Sequence, residues 1–179
     1  MPDLAAPVEV RLPAATDIRD ARLRRLYEYW LAKKGQRRLP SRRDIDPVDF
    51  PYVLGHVILF DVLRDPLHFR VRVHGTEMVA KAGYDLTGKF LDALPITDYR
   101  RYVLARCESL VRDGEPLLVW HDRTLNGKAR RYEALWLPLS DDGQHVTMLL
   151  AAMIYDAQRE QLCVVRRPES GRCADRTPE

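Results

Sequence analysis

The stretch VHGTEMVAKAGYDLTGKFLDAL, residues 73–94, decides the fold of this chain. It leaves a β-patterned segment, enters a short helix at Gly75-Thr76, and is interrupted at Gly83-Tyr84 and again at Gly88. Glycine readily takes the backbone conformations that end a helix. No catalytic motif lies in the stretch. It therefore predicts a strand that leads into short helical pieces.

Two strands are predicted before this stretch. Residues 56–63 are apolar and β-branched, and Arg64-Asp65-Pro66 turns the chain. Residues 68–74 then alternate between apolar and basic side chains, which is typical of a strand with one covered face. The apolar side chains of this strand are expected to point the same way: Phe69, Val71 and Val73. The pattern indicates an antiparallel hairpin.

After the stretch, a helix is predicted over residues 98–112, followed by three strands. Turn signals at Asn126-Gly127 and Asp141-Asp142-Gly143 separate the strands, which cover residues 117–124, 130–139 and 145–155. Two strands, a helical insert and three strands predict an α+β fold. We expect a five-stranded antiparallel sheet with helices on one face.

An amphipathic helix is predicted at the N-terminal side of the sheet domain. Thr16 or Asp17 can cap it, it runs to about Lys34, and Gly35 ends it. One stripe carries its apolar side chains: Leu23, Leu26, Tyr27, Trp30 and Leu31. The stripe can lie on the domain's own sheet, or it can pair with a second copy of the chain. Residues 1–15 are expected to form a flexible leader.

Three segments together resemble PAS domains. GYDLTGKF at residues 83–90 is similar to the glycine-tyrosine and glycine pattern of their short helices. EALWLPLSDDGQHVTMLLAAMIYD at residues 133–156 is similar to their last two strands. LPSRRDIDP at residues 39–47, before an apolar strand, resembles a stand-alone bacterial PAS type with an extra N-terminal helix.

The resemblance implies a non-enzymatic sensory or signalling module that binds a small organic ligand, a partner protein, or both. It places the PAS-like domain at residues 39–156, after a helix and linker at 16–38 and before a polar, disordered tail at 157–179. Output would pass to a partner signalling protein in trans. The helix is expected to mediate homodimerisation through the five residues of its apolar stripe.

The wall of a ligand pocket follows from the register of the hairpin at Asn126-Gly127. A strict two-residue turn would place Trp120 opposite Glu133, whereas a loop one residue longer would place Trp120 opposite Tyr132. Burial of the aromatic side chains favours the longer loop. The predicted pocket residues are then Leu118, Trp120, Tyr132, Ala134, Trp136, Met148 and Leu150. They form either a ligand cavity or an ordinary aromatic core.

Haem, flavin and metal are not expected as cofactors. A flavin photosensor would need a reactive cysteine in the helical insert 76–94, which contains none, and Cys107 lacks the required context. Haem would need a ligand such as histidine on the same helices, and no histidine lies within 76–112. The histidines and cysteines show no spacing typical of a metal site.

Composition and charge restrict the remaining functions. The longest apolar run, residues 146–155, is too short to span a membrane, and no secretory signal is found at residues 1–17. Three cysteines without a close pair favour a reducing cytoplasm. The net charge is only +3, yet basic residues dominate residues 19–43. A nucleic-acid or anionic-surface adaptor is therefore the alternative function, although a solvated surface is the simpler interpretation.

His121 and Asp122 are neighbours that could act as an acid–base pair in a small enzyme. A pair of strand residues on the surface is the simpler interpretation, and we expect no catalytic residues. Arg100, Arg101 and Arg106 of the predicted helix could offer a guanidinium to a carboxylate in the pocket. An exposed helix face is favoured for these arginines.

Overall fold

The computed structural model describes residues 7–125 and 128–155, with side chains outside 123–130. Six antiparallel strands form one sheet in the order β1-β4-β5-β6-β2-β3. The strands are β1 (Val8–Arg11), β2 (Val57–Leu63), β3 (His68–His74), β4 (Leu117–Leu125), β5 (Lys128–Leu139) and β6 (Met148–Tyr155). The helices are α1 (Ala21–Lys34), α2 (Thr76–Ala82) and α3 (Thr97–Asp113), together with several short 3-10 helices. The α+β class is confirmed.

Strand β1 lies where a flexible leader was predicted, and it adds a sixth strand at the edge of the sheet. It pairs with β4, with Val8 opposite Trp120 and Arg11 opposite Leu117. An ion pair joins Glu9 to Arg106, and another joins Arg11 to Asp113 at 2.8 Å. The prediction missed this strand because four residues are too few for a clear alternation. Residues 1–6 of the leader and the tail 157–179 lie outside the described residues.

Both faces of the sheet are covered. We call one the α3 face, which carries Ala134, Trp136, Ala151 and Met153 and lies under α2 and α3. The other is the α1 face, which carries Leu135, Leu137, Leu150 and Ala152, one residue out of step with the first set. Strand β5 is therefore buried on both sides from Tyr132 to Leu139. The predicted helical insert lies on one face, and the N-terminal helix α1 lies on the other.

Helix α1 packs on its own sheet, which decides between the two alternatives for its apolar stripe. Leu23, Leu26, Tyr27 and Trp30 are buried, and the indole Nε1–H of Trp30 donates to the carbonyl oxygen of Pro138 at 3.1 Å. Leu31 alone of the predicted dimer residues is substantially exposed, at 40%. The assignment of the first four residues to a dimer interface is therefore corrected, since the sheet already occupies them.

Helix α1 begins later than predicted, because Asp20 caps it. The Asp20 carboxylate accepts hydrogen bonds from the backbone N–H groups of Arg22 and Leu23, at 2.8 and 3.4 Å. Residues 15–17 form a separate 3-10 helix. The predicted end at Gly35 is found, and a short 3-10 helix begins at Pro47 after its capping residue Asp46.

Glycine has a steric role at Gly75, where α2 begins. The N–H of Gly75 donates to the carbonyl oxygen of Val57 at 2.8 Å. A Cβ at this position would lie 2.4 Å from the carbonyl oxygen of Gly55, which is too close for any side chain. Gly83 ends α2 with a φ of 81°, the left-handed conformation that glycine takes without strain. The helix start predicted at Gly75 and the break predicted at Gly83 are therefore confirmed.

Candidate functional site

A cavity of about 40 Å³ lies between the α3 face and the helices that cover it. The sheet contributes residues from β2, β3, β5 and β6, and the cover comes from α2, α3 and the segment between them. The walls are mainly apolar, with a few polar tips. The lining residues are Ile58, His74, Met78, Ala82, Tyr84, Leu86, Leu91, Leu94, Tyr99, Val103, Ala134, Trp136, Ala151, Met153 and Tyr155.

His74 brings the most polar group to this cavity. Its side chain is almost fully buried, and its Nδ1 accepts a hydrogen bond from the backbone N–H of Leu86 at 3.2 Å. Burial lowers the pKa of His74, and the nearby Asp85 carboxylate, at 3.6 Å, opposes this shift only in part. The ring is therefore neutral at neutral pH. With Nδ1 accepting, the proton lies on Nε2.

Three of the seven predicted pocket residues lie on the α3 face. Ala134 and Trp136 line the cavity, and the Trp136 ring stacks on that of Phe60 with centroids 5.8 Å apart. Tyr132 is on the same face, but it contacts His121 rather than the cavity. The other four predicted pocket residues lie on the α1 face: Leu118, Trp120, Met148 and Leu150. The structure therefore does not bring the seven together.

The predicted register of the β4–β5 hairpin is wrong by one residue. Trp120 lies opposite Glu133, and Leu118 lies opposite Leu135. The prediction assumed that only one face is buried, so it gathered the aromatic residues on that face. Because both faces are buried, burial does not select between the two registers. The turn residues Asn126 and Gly127 themselves lie outside the described residues.

The α1 face contains a buried carboxylate, that of Glu133, and both of its oxygens accept hydrogen bonds. Its two oxygens accept the backbone N–H groups of Arg19 and Asp20, both at 2.8 Å. The indole Nε1–H of Trp120 donates to the same carboxylate at 3.1 Å. Charged acceptors make stronger hydrogen bonds than neutral ones, so this group fastens the segment before α1 to the centre of the sheet. Glu133 is a positioning residue that the sequence analysis did not identify.

A bulge explains why His74 was missed. Between Leu59 and Phe60 the pairing of β2 with β3 shifts by one residue, so Val73 pairs with Leu59 while Val71 pairs with Phe60. Val73 therefore turns to the α1 face, where it is 44% exposed, and it does not share a face with Phe69 and Val71 as predicted. His74 consequently lies at the cavity. The alternation of residues 68–74 is regular, so the sequence of this strand carries no signal of the bulge.

A chain of aromatic rings continues beyond the cavity on the α3 face. The ring of His121 lies 5.0 Å from that of Tyr102, and its Nδ1 is 2.9 Å from the hydroxyl oxygen of Tyr132. Burial raises the pKa of Tyr102 to about 12, so its hydroxyl stays protonated. His121 is thus half-buried among tyrosines.

The neighbouring Asp122 does not join His121. Its carboxylate pairs with the guanidinium of Arg131 at 2.5 Å. Because successive side chains of a strand point to opposite faces of the sheet, those of His121 and Asp122 point away from each other. The acid–base pair considered from the sequence is therefore not formed. His121 is not on the open surface either, contrary to the simpler interpretation of the sequence.

Cys107 lies fully buried in α3, and it is not among the residues that line the cavity. Burial raises the pKa of its thiol, which keeps the sulfur protonated and weakly nucleophilic. The cavity is also far below the several hundred Å³ typical of sites for larger ligands. A flavin or a haem does not fit this arrangement of side chains. The sequence prediction that neither is bound stays a prediction.

The three α3 arginines that the sequence suggested for carboxylate binding do not point a free guanidinium into the cavity. Arg100 donates to the carbonyl oxygens of Asp92 and Leu94, at 2.8 and 3.2 Å, which fixes the turn before α3. Arg106 pairs with Glu9 of β1. Arg101 pairs with Asp98 on the exposed side of the helix. A role in binding a carboxylate at the cavity therefore has no support.

Within residues 7–125 and 128–155, no three histidine, cysteine, aspartate or glutamate side chains lie close enough to hold a metal ion. Within the same part of the chain, no helix is long and apolar enough to cross a membrane.

Much of the positive charge between residues 19 and 43 is used within the fold. Arg24 donates to the carbonyl oxygen of Ile18, Arg38 donates to that of Gln144, and Arg37 pairs with Asp44 at 2.7 Å. Similar contacts hold most of the other basic side chains: Arg19, Arg22, Arg25, Lys33 and Arg42. The adaptor function stays a prediction, to be checked by salt-sensitive retention on heparin.

Comparison with known proteins identifies a family. The family model described as "PAS domain" matches residues 18–154, which is more than half of the chain. No curated protein is significantly similar in sequence. One similar solved structure is that of an RNA-binding light-oxygen-voltage receptor, with a TM-score of 0.48 and 13% identity. That comparison covers 89% of this chain and 42% of the receptor chain.

Proposed function

The chain belongs to the PAS domain family and is a sensory or signalling module, and from that premise we propose that it binds a small uncharged molecule in the cavity on the α3 face. A partner signalling protein in the cytoplasm then reads the bound state. The observation that carries this proposal is the mostly apolar cavity with the neutral imidazole of His74 in its wall.

The lining favours an uncharged ligand. The part of the chain that the structure describes contributes no carboxylate or ammonium group to the cavity lining, and burial keeps His74 neutral. An ion placed there would lose its hydration without gaining a counter-charge. A neutral molecule with one polar group can instead accept the Nε2–H of His74 or bond to a tyrosine hydroxyl. Most of its surface would contact the apolar side chains of the wall.

The size of the cavity limits the ligand. About 40 Å³ corresponds to room for roughly three water molecules. A molecule of a few heavy atoms therefore fits without rearrangement. A larger molecule would have to displace the segment that carries Tyr84 and Leu86, which lies between α2 and α3. Such a displacement would couple binding to a change on the outer surface of the domain.

Native mass spectrometry of the protein purified from its own cytoplasm tests the proposal. We expect a protomer heavier than the denatured chain by a defined small mass. Ala82→Phe, which fills the cavity from the end of α2, should remove that mass. Ala80→Phe, on an exposed position of the same helix, is the matched control and should retain it. A mass that survives Ala82→Phe would place the ligand elsewhere and overturn the proposal.

Homodimerisation stays a prediction, but its proposed surface changes. Leu31 is the member of the apolar stripe that α1 leaves exposed, so an interface on this helix would have to include it. Leu31→Glu should halve the mass measured by light scattering if α1 forms the interface. An unchanged dimer mass would exclude this side of α1.

A further inference from the structure

A second cavity, of about 70 Å³, lies on the α1 face, away from the cavity of the proposed function. The sheet forms its floor through Val57 and Leu59 of β2, Val73 of β3 and Leu150 of β6. The segment between α1 and β2 forms its cover. The cover residues are Arg42, Ile45, Pro47, Phe50 and Leu54.

The cavity opens at the edge of the sheet. The bulge in the β2–β3 pair turns Val73 onto this face, and Val73 and Leu54 remain 44% and 38% exposed at the rim. Leu59, Leu150 and Phe50 are buried and form the inner wall. The opening is therefore apolar and reaches solvent without any movement of the chain.

Arg42 is the one charged residue among the described residues that line this cavity. Its Nη1 donates to the carbonyl oxygen of Ile45 at 2.6 Å, which holds the guanidinium beside the opening. Within the described residues the guanidinium of Arg42 has no carboxylate partner: Asp44 pairs with Arg37, and the Asp141 carboxylate accepts the backbone N–H of Arg42 at 3.3 Å. Oδ1 of Asp46 accepts the backbone N–H of Val48. The guanidinium thus keeps donors for an external acceptor.

We propose that this second cavity binds a short-chain monocarboxylate, with the hydrocarbon chain inside and the carboxylate on Arg42. A cavity of about 70 Å³ holds the end of a short hydrocarbon chain, and the rest of the chain lies in the opening against Val73 and Leu54. An apolar wall with a cation at its opening is complementary to an amphiphilic anion. The site is distinct in position and in ligand charge from the cavity that contains His74.

Hexanoate and 1-hexanol both have six carbon atoms, but only hexanoate carries a charge, so the pair distinguishes binding of the carboxylate from binding of the hydrocarbon chain. Each is titrated into the full chain by calorimetry and by NMR shifts of the wall residues. In Arg42→Gln, hexanoate should bind about tenfold more weakly, while hexanol binding stays unchanged. Arg43→Gln removes the same charge from the neighbouring residue, which does not line the cavity, and should leave both probes unaffected.

Two cavity-filling variants test which of the two cavities hexanoate occupies. Val73→Trp fills the opening from an exposed residue and should abolish hexanoate binding, whereas Ala82→Phe fills only the cavity on the α3 face and should not. Thermal unfolding of each variant checks that the fold persists. Equal loss of hexanoate affinity in Arg42→Gln and Arg43→Gln, or binding that survives Val73→Trp, would overturn the proposal. If Ala82→Phe loses the native ligand, that loss concerns the cavity on the α3 face and does not change the expected binding of hexanoate at the second cavity.

Discussion

The two faces of the sheet differ in how their covering helices are attached. On the α1 face, the carboxylate of Glu133 bonds to two backbone N–H groups before the helix, and the Trp30 indole bonds to the sheet. On the α3 face, backbone hydrogen bonds of Gly88 and Lys89 with Val71 tie the segment between α2 and α3 to β3, and ion pairs tie α3 to β1. The buried Glu133 carboxylate thus fixes the start of α1 at the centre of the sheet, whereas the ion pairs of α3 reach the edge strand. The α3 face, which contains the cavity lined by His74, is the one that we propose responds to a ligand.

The largest effect is expected from Trp30→Ala. The change removes a fully buried indole and leaves the carbonyl oxygen of Pro138 without its donor. We expect a loss of about 3–5 kcal/mol in the free energy of unfolding, measured with urea. Leu31→Ala, at the exposed neighbouring position, is the control and should cost far less. Equal losses in the two variants would mean that α1 does not pack on the sheet in this way.

A smaller effect is expected from Glu133→Gln. The amide keeps one acceptor oxygen, but its NH₂ group faces an N–H donor that then has no partner. The expected loss is about 2 kcal/mol in the free energy of unfolding. Hydrogen exchange at the amides of Arg19 and Asp20 should become faster. Glu28→Gln, on the exposed side of α1, is the control, and no change in those two amides would contradict the attachment.

The α3 face should respond to pH through His74. Its pKa is lower in the folded chain than the ordinary value of 6.5, because burial disfavours the imidazolium. The unfolded chain therefore binds the proton more readily, so the stabilisation is complete above pH 6.5 and is lost as the pH falls below it. The free energy of unfolding should decrease from pH 7 to pH 5, and His74→Gln should reduce this slope.

His56, whose pKa burial also lowers, accounts for a further part of the slope. An identical slope in the native chain and in His74→Gln would show that the imidazole is not buried at the cavity.

The smallest effect is expected from Arg19→Gln on the α1 face. The guanidinium of Arg19 lies 4.8 Å from the centre of the Trp120 ring. Exposed cation–π contacts contribute about 0.5–1 kcal/mol, and the backbone bond from Arg19 to Glu133 is retained in the variant. Arg101→Gln, on an exposed turn of α3, is the control for loss of charge alone. A loss as large as that of Glu133→Gln would assign the attachment to the side chain instead.

The order of the elements could be predicted from the sequence because glycine and apolar periodicity are local signals. Gly75 and Gly83 are found at the two ends of α2, as their positions indicated. The register of β4 with β5 could not be predicted in the same way, because it depends on what covers the second face. The role of Glu133 in an apolar strand depends on the backbone N–H groups of Arg19 and Asp20, which are far away in the sequence and reach its carboxylate only in the folded chain.

The candidate site could be predicted only in part, for a related reason. Ala134 and Trp136 follow from the alternation of β5 and do line the cavity. His74 and Val73 exchange faces because of the bulge beside Leu59, and a regular alternation gives no sign of it. A one-residue shift of this kind arises from pairing between strands, so the sequence of one strand does not contain it.

Strand β1 has a consequence for how shortened forms of the chain would behave. It covers the outer edge of the sheet along the first four residues of β4, from Leu117 to Trp120. A fragment that begins after residue 15 would present these backbone N–H and C=O groups to any extended chain. Open edges of this kind template aggregation and strand exchange. Oligomers formed by such a fragment would therefore report a missing strand, and not the assembly of the protein.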